Sequence, residues 1–369
     1  MAVYPRAAKT TGALVACLGA ITLAGCTSND ATAPQATTAA SAAPSESVAA
    51  TTVPNPDVNG DGKVIIGVLS PGDINDNGYY QSFVDSAETF ATARGWTVIK
   101  RGSVNPAEAL TAARAMCQQK VDMVALGASE LRDAIPASQE PVCEKTAWYM
   151  PSSGADGVTP TPKLVLGVDD VNQSVLAAGY ASALLMQERG YTKAGFVTGP
   201  EMDFAVAAAK AFTAGVKMVL PDAEVIVTYT GDLNDPAKGR EGARAQIRQG
   251  VKVIYPYLGG ATDAVAELAN AHNVLTLTPG TDRCDSTKPK FDISVLFSPG
   301  DYLSAALESF SKGKLQVGVK KVWTLGVDPF PAIKLCKENA KVQRKLDAFI
   351  SDVASKKIDP AAEVQRLGS

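Results

Sequence analysis

The sequence predicts an α/β protein of two doubly wound, parallel-sheet lobes with a cleft between them. Three observations predict it. From Lys63 onward, short β-rich runs alternate with helical patterns, as repeated βα units require. The first run, Val64-Ile65-Ile66-Gly67-Val68-Leu69, is continuously apolar, which suits a strand buried on both faces. Near residue 175 the alternation restarts and runs through a second full set of units.

After the first strand, Phe83, Ala87, Phe90 and Ala91 recur at helical spacing. A second strand follows at 96–99. Asn105-Pro106 starts the next helix, with Asn as cap and Pro at the first position. Leu110, Ala113 and Cys117 line its buried face. Strands at 122–126, 146–150 and 164–168 extend the first sheet. The second set comprises helix 175–188, strand 194–198, helix 205–220 and strand 224–229. It continues with helix 236–249, strand 253–255, helix 263–271 and strand 274–278. A strand at 293–297, a helix at 302–311, a strand near 322–326 and a charged helix over 337–355 close the chain. This pattern divides the folded part into lobe 1, residues 62–170 plus 292–320, and lobe 2, residues 171–291 plus 321–369. The crossings are expected near 169–172, 288–292 and 318–323. Ligands of open α/β sheets bind at the carboxyl ends of the strands, so the cleft is the expected site.

The amino end reads differently. Arg6 and Lys9 precede an apolar run over 13–24 and a small-residue cleavage site, the layout of a secretory signal peptide. The run is shorter than the ~20 apolar residues of a membrane-spanning helix. Leu23-Ala24-Gly25-Cys26 resembles the bacterial lipobox, in which the cysteine becomes the acylated first residue. Residues 1–25 are therefore expected to be removed and Cys26 to carry lipid. Residues 26–61 are rich in Ala, Thr, Ser and Pro, too poor in apolar surface to offset ordering entropy, and read as a disordered leash. The expected location is the extracytoplasmic face of the cell membrane.

Composition and motifs exclude several classes. A formal charge of −3 without a basic block disfavours nucleic acid as a partner. Beyond Cys17 and Cys26, the chain holds Cys117, Cys143, Cys284 and Cys336. An even count in an oxidising compartment suggests two disulfides. Three pairings are open, and Cys117–Cys143 with Cys284–Cys336 is favoured because each pair is close in sequence. With no CxxC spacing and a single histidine, His272, neither a usual zinc site nor a Ser-His-Asp hydrolase is expected. Asp57-Val58-Asn59-Gly60-Asp61-Gly62-Lys63 begins like a calcium loop. Its twelfth position is Val68, not a carboxylate, so we read a polar turn. Leu258-Gly259-Gly260-Ala261-Thr262-Asp263 joins a strand to a helix without the dinucleotide G-x-G-x-x-G spacing. It reads as a tight turn at the cleft. No cofactor, no metal and no enzymatic activity are expected.

The stretch Ser70-Pro71-Gly72-Asp73-Ile74-Asn75-Asp76-Asn77-Gly78-Tyr79-Tyr80-Gln81 follows the first strand and opens onto the cleft. Gly78 permits close backbone approach, Tyr79 offers a flat face, and Asp73 and Asp76 offer acceptors. Ile66-Gly67-Val68 followed by Asp76-Asn77-Gly78-Tyr79 resembles the first-strand motif of the basic membrane protein family. These are purine-nucleoside-receptor-like lipoproteins of bacterial ABC importers. The likeness continues in Ala211-Phe212-Thr213-Ala214-Gly215-Val216 with Pro221, and in Gly250-Val251-Lys252-Val253-Ile254. Its most specific part is Tyr229-Thr230-Gly231-Asp232-Leu233-Asn234-Asp235-Pro236-Ala237-Lys238, and Gly280-Thr281-Asp282 matches a further turn.

The resemblance implies a type I periplasmic-binding-protein fold and a purine nucleoside or base as ligand. It places Tyr79 against the base, with Asp76 and the neighbouring Asn77 at its edge. Asp282 falls on the ribose hydroxyls, and Gly259 and Gly260 on the backbone approach. Two positions depart from the family: Leu233 stands where an aromatic is expected, and Phe297 where a lysine is expected. The implied function is an extracytoplasmic solute-binding lipoprotein, a monomer that delivers its ligand to an ABC permease and its ATPase. The alternatives are a sensor of the same fold signalling to a membrane partner, or a binder of another small polar solute.

Overall fold

The computed structural model describes residues 49–369; the expected signal peptide, Cys26 and the leash up to residue 48 lie outside the described residues. In chain order the first part comprises β1 (Thr51–Val53), β2 (Ile65–Leu69), α1 (Tyr79–Thr92), β3 (Thr97–Arg101), α2 (Ala109–Gln118), β4 (Met123–Leu126), β5 (Ala147–Ser152) and β6 (Leu164–Asp169). A 3-10 stretch, Ser129–Gln139, follows β4. The chain then crosses into α3 (Val171–Arg189), β7 (Lys193–Thr198), α4 (Asp203–Val219), β8 (Glu224–Tyr229), α5 (Pro236–Arg248), β9 (Val253–Tyr257), α6 (Thr262–Ala271), β10 (Leu275–Gly280) and β11 (Ile293–Leu296). It ends with α7 (Pro299–Ser311), β12 (Leu315–Val317), β13 (Val319–Trp323), β14 (Ala332–Leu335), α8 (Ala340–Ala354) and α9 (Pro360–Leu367).

Two six-stranded sheets result. The first has the order β13-β6-β5-β4-β2-β3 and is parallel throughout. The second has the order β14-β11-β10-β9-β7-β8, with only β14 antiparallel to its neighbour. Parallel strands need covering on both faces, which is why β4, β5 and β6 are buried at every residue.

The sheet memberships correct the lobe boundaries read from the sequence. Ile293–Leu296 pairs in parallel with β10, so it belongs to the second sheet and not to lobe 1. Conversely Val319–Trp323 lies in register beside β6, with Trp323 opposite Asp169, so its carboxyl half belongs to the first sheet and not to lobe 2. Helix α7 between them packs on α1 and β5. The later crossings therefore fall near 296–299 and 323–332 rather than near 288–292 and 318–323. The leash also ends earlier than residue 61. β1 pairs antiparallel with β12, and Asp57 gathers the amides of Gly60, Asp61 and Gly62 into a turn. Asp122 accepts from the amides of Val58, Asn59 and Ile65 and ties that turn to the first sheet.

Helix α3 carries the chain from β6 into the second lobe. A Cβ on Gly179 would lie 2.2 Å from the Phe212 carbonyl oxygen, and one on Gly215 would lie 2.0 Å from that of Leu176. The paired glycines let α3 and α4 touch backbone to backbone, fixing the helix that starts next to Asp169. Cys117 is bridged to Cys143 and Cys284 to Cys336, each within one lobe. Among the described residues no helix is long and apolar enough to cross a membrane.

Candidate functional site

The carboxyl ends of the two sheets face a shared pocket of about 690 Å³ including its mouth. The first lobe supplies one wall from the start of α1, the segments after β4 and β5, the end of β6, and α7. The second lobe supplies the other from α4, the loop after β8, the ends of β9 and β10, and Phe297 after β11.

The first-lobe wall is polar beneath an aromatic rim. Asp76 sets its geometry by accepting from the amides of Gly78, Tyr80 and Gln81 at 2.9, 3.3 and 3.0 Å, which caps α1 and aims two tyrosines at the cleft. A Cβ on Gly72 would sit 2.2 Å from the Tyr80 ring, so this glycine seats it. The Tyr80 hydroxyl donates to Glu130 Oε1 at 3.1 Å. Burial, the leading influence, pushes the Glu130 carboxyl above its ordinary range despite that bond. Tyr79 stands edge-on to Tyr80, ring centroids 5.5 Å apart, and faces Phe297 across the cleft at 6.3 Å.

Asp169 is the most deeply placed acid of this wall, 7% exposed. The Ser174 hydroxyl donates to its Oδ2 at 2.9 Å, while Oδ1 finds no hydrogen-bond partner among the described residues. Desolvation is the main cause that pushes this carboxyl from 3.8 up to about 7, and Asp170 on the next residue adds to it. The Tyr302 hydroxyl approaches the same carboxyl without completing a hydrogen bond. A Cβ on Gly167 would sit 2.3 Å from the Tyr149 hydroxyl, so this glycine accommodates that phenol beside the pocket.

The second-lobe wall is apolar: Phe204, Leu233, Tyr257, Leu258, Pro279 and Phe297. Tyr257 lies 6.1 Å from Phe297 and stacks on Phe196 at 5.5 Å. None of the described residues lining the pocket is Lys, Arg or His. Arg283, at an adjoining recess, forms a two-pronged ion pair with Asp263. Among the described residues no cluster of His, Cys, Asp or Glu is placed to hold a metal ion.

The site residues expected from the sequence divide. Tyr79 and Gly259 line the pocket, and a Cβ on Gly259 would come within 2.8 Å of the Tyr80 ring across the cleft. Asp76 lines only the smaller recess, its carboxylate occupied by backbone amides. Asn77 is exposed, its amide bonded to Gln81 Oε1. Gly260 donates its amide to Asn234 Oδ1 and does not line the pocket. Asp282 lies outside both cavities, partly exposed, and takes Lys334 Nζ at 2.6 Å and the Cys284 amide at 3.1 Å. The two departures from the family pattern meet in one wall: Phe297 brings an aromatic ring to the wall where Leu233 lacks one. Sequence reading missed Glu130, Asp169, Tyr257 and Tyr302. The first three stand at or just past the carboxyl ends of strands, where the cleft rule would have found them.

Residues 63–367 match the model of the Bmp family, described as ABC transporter substrate-binding protein PnrA-like. A stretch of 102 residues is 34% identical to the ABC transporter nucleoside-binding protein BmpA of Lactococcus lactis, a match that spans 28% of this chain and 28% of that protein. A solved solute-binding protein of an ABC transporter system from Conexibacter woesei superposes with a TM-score of 0.60 at 22% identity, covering 80% of this chain and 98% of that one. One from Aeropyrum pernix gives 0.62 at 18% identity, covering 82% and 84%. The structural likenesses establish the two-lobed type I periplasmic-binding-protein fold. By its family match the chain is a binding protein and not an enzyme, and it belongs to the Bmp family of PnrA-like ABC transporter substrate-binding proteins.

Proposed function

We propose that this protein captures a purine nucleoside or base in the cleft and hands it to the permease and ATPase of an ABC importer. One observation carries the reading: a pocket between the lobes whose walls pair aromatic rings with hydrogen-bond acceptors and hold no cation. Flat heterocycles gain from stacking on such rings. The lack of Lys and Arg argues against nucleotides, whose phosphates need a counter-charge. The name of the Lactococcus relative points the same way. Two disulfides suit an oxidising, extracytoplasmic compartment. We include in the proposal a lipid tether at Cys26 and a monomeric state.

Titration calorimetry with guanosine, adenosine, inosine, hypoxanthine and GMP tests the reading. Saturable binding of nucleosides or base, without binding of GMP, is expected. Ligand at 100 times its dissociation constant should stabilise the fold by about 2.7 kcal/mol. Absence of heat and of a melting shift with every nucleoside and base would overturn it. For the tether, Cys26→Ala should abolish partitioning into the detergent phase; a wild-type protein secreted without lipid would contradict it.

A further inference from the structure

We propose that Asp169 is the residue that selects the ligand, its unpartnered Oδ1 accepting a hydrogen bond from an N–H group of a planar nitrogen heterocycle. The proposal rests on the reading of the cleft as a heterocycle site and adds which edge of the ring is read, and by what.

A carboxylate 7% exposed is expensive to keep unless its oxygens are bonded. Ser174 satisfies Oδ2 and orients the carboxyl, and the register of β6 beside β13 holds the residue at the sheet's end. Oδ1 is left unpartnered and shielded from solvent, in a residue that lines the pocket. No charge nearby compensates it. The titratable groups facing it are Asp170 on its own turn, Tyr79 from α1, Tyr255 and Tyr257 from β9, Tyr302 from α7, and Glu130 across the same pocket. All are acids or phenols. A ligand that supplies an N–H removes the deficit, whereas one that presents a ring acceptor meets like polarity. Asp76 and Asp282 are poorer candidates, because their oxygens are already committed to protein donors.

The test is titration calorimetry at about pH 8 on wild type, Asp169→Asn and Asp169→Ala. The probes are guanosine and adenosine, whose bases carry N–H donors, and purine riboside, whose base carries none. In wild type, guanosine or adenosine should bind at least about tenfold tighter than purine riboside, the scale of one charge-assisted hydrogen bond. Asp169→Ala should erase that preference by weakening the N–H-bearing nucleosides, leaving purine riboside within about threefold. Asp169→Asn, close in shape, should give an intermediate loss and guards against a folding defect. Affinity for guanosine should also rise from about pH 6 to 8 in wild type and stay flat in Asp169→Asn.

Equal weakening of all three probes, or unchanged affinities, would overturn the assignment. If wild type binds no nucleoside, benzimidazole, an N–H heterocycle without ribose, separates the two claims. Asp169-dependent benzimidazole binding would keep this assignment and discard the nucleoside reading. No binding of either class would discard both.

Discussion

The two walls of the cleft are built from opposite chemistry. The first lobe presents carboxyls and phenols: Glu130, Asp169, Tyr80 and Tyr302. The second presents hydrocarbon: Phe204, Leu233, Leu258, Pro279 and Phe297, with Tyr257 its main polar side chain. On the proposed reading the two walls divide the labour. The groups able to make directional contacts sit on one lobe, and the surface whose desolvation would favour closure sits on the other. Only contacts stronger in the closed state shift the equilibrium toward closure, and an apolar wall contributes by expelling water from between the lobes.

The largest expected effect concerns the cost of the polar wall. Asp169 is raised from 3.8 to about 7, so the folded protein favours its neutral form. Its contribution to stability is full below about pH 4 and is lost as pH rises through about 7. At pH 8 the charged form costs at most about 4 kcal/mol, taking 1.36 kcal/mol per unit. Asp169→Asn should therefore melt higher than wild type at pH 8 and close to it at pH 4, by thermal unfolding without ligand. A lower melting temperature at both pH values would contradict the account.

Next in size is closure. Gly259→Val places a branched side chain where a Cβ alone comes within 2.5 Å of Asn234 Oδ1 in its own lobe and 2.8 Å of the Tyr80 ring across the cleft. Guanosine affinity should fall about a hundredfold, on the order of 3 kcal/mol. Retained affinity would show that the lobes need not meet at this glycine.

Smaller losses are expected from the rings. Tyr79→Ala and Phe297→Ala should each weaken guanosine binding by about 1–3 kcal/mol, the scale of a base–aromatic stack. Phe297→Ala should also shrink the negative heat-capacity change of binding, since it removes apolar surface from the closing wall. Calorimetry at several temperatures reads both quantities. The smallest effect belongs to Asp282→Ala. That carboxylate is engaged by Lys334 outside the pocket, so affinity should stay within about twofold. A tenfold loss would return Asp282 to the site.

The sequence made the fold more legible than the site. Continuous apolar runs such as Ile65–Leu69 and residues 164–168 announce strands buried on both faces, and helix starts such as Asn105-Pro106 were readable from capping chemistry. Which sheet receives Ile293–Leu296 was not readable, because local pattern carries no information on the partner strand. The site was partly legible through Tyr79 and Gly259, which sit in motifs with recognisable turn chemistry. Asp169 was hidden in Val168-Asp169-Asp170-Val171, where two adjacent acids look alike. Only the fold separates them: Asp169 ends a buried strand at the pocket, whereas Asp170 caps α3 by accepting from the Asn172 amide. For Asp282 the converse holds, since a turn acid beside a strand end gives no sign of Lys334, 52 residues later, engaging it.

The most direct measurement is a crystal structure of the protein with guanosine bound. The account predicts the base against Tyr79 and Phe297, an N–H at Asp169 Oδ1, and contacts to the second lobe that are chiefly apolar. A base held by hydrogen bonds from the second lobe, or a nucleoside seated on Asp282 with Asp169 Oδ1 still unpartnered, would contradict it.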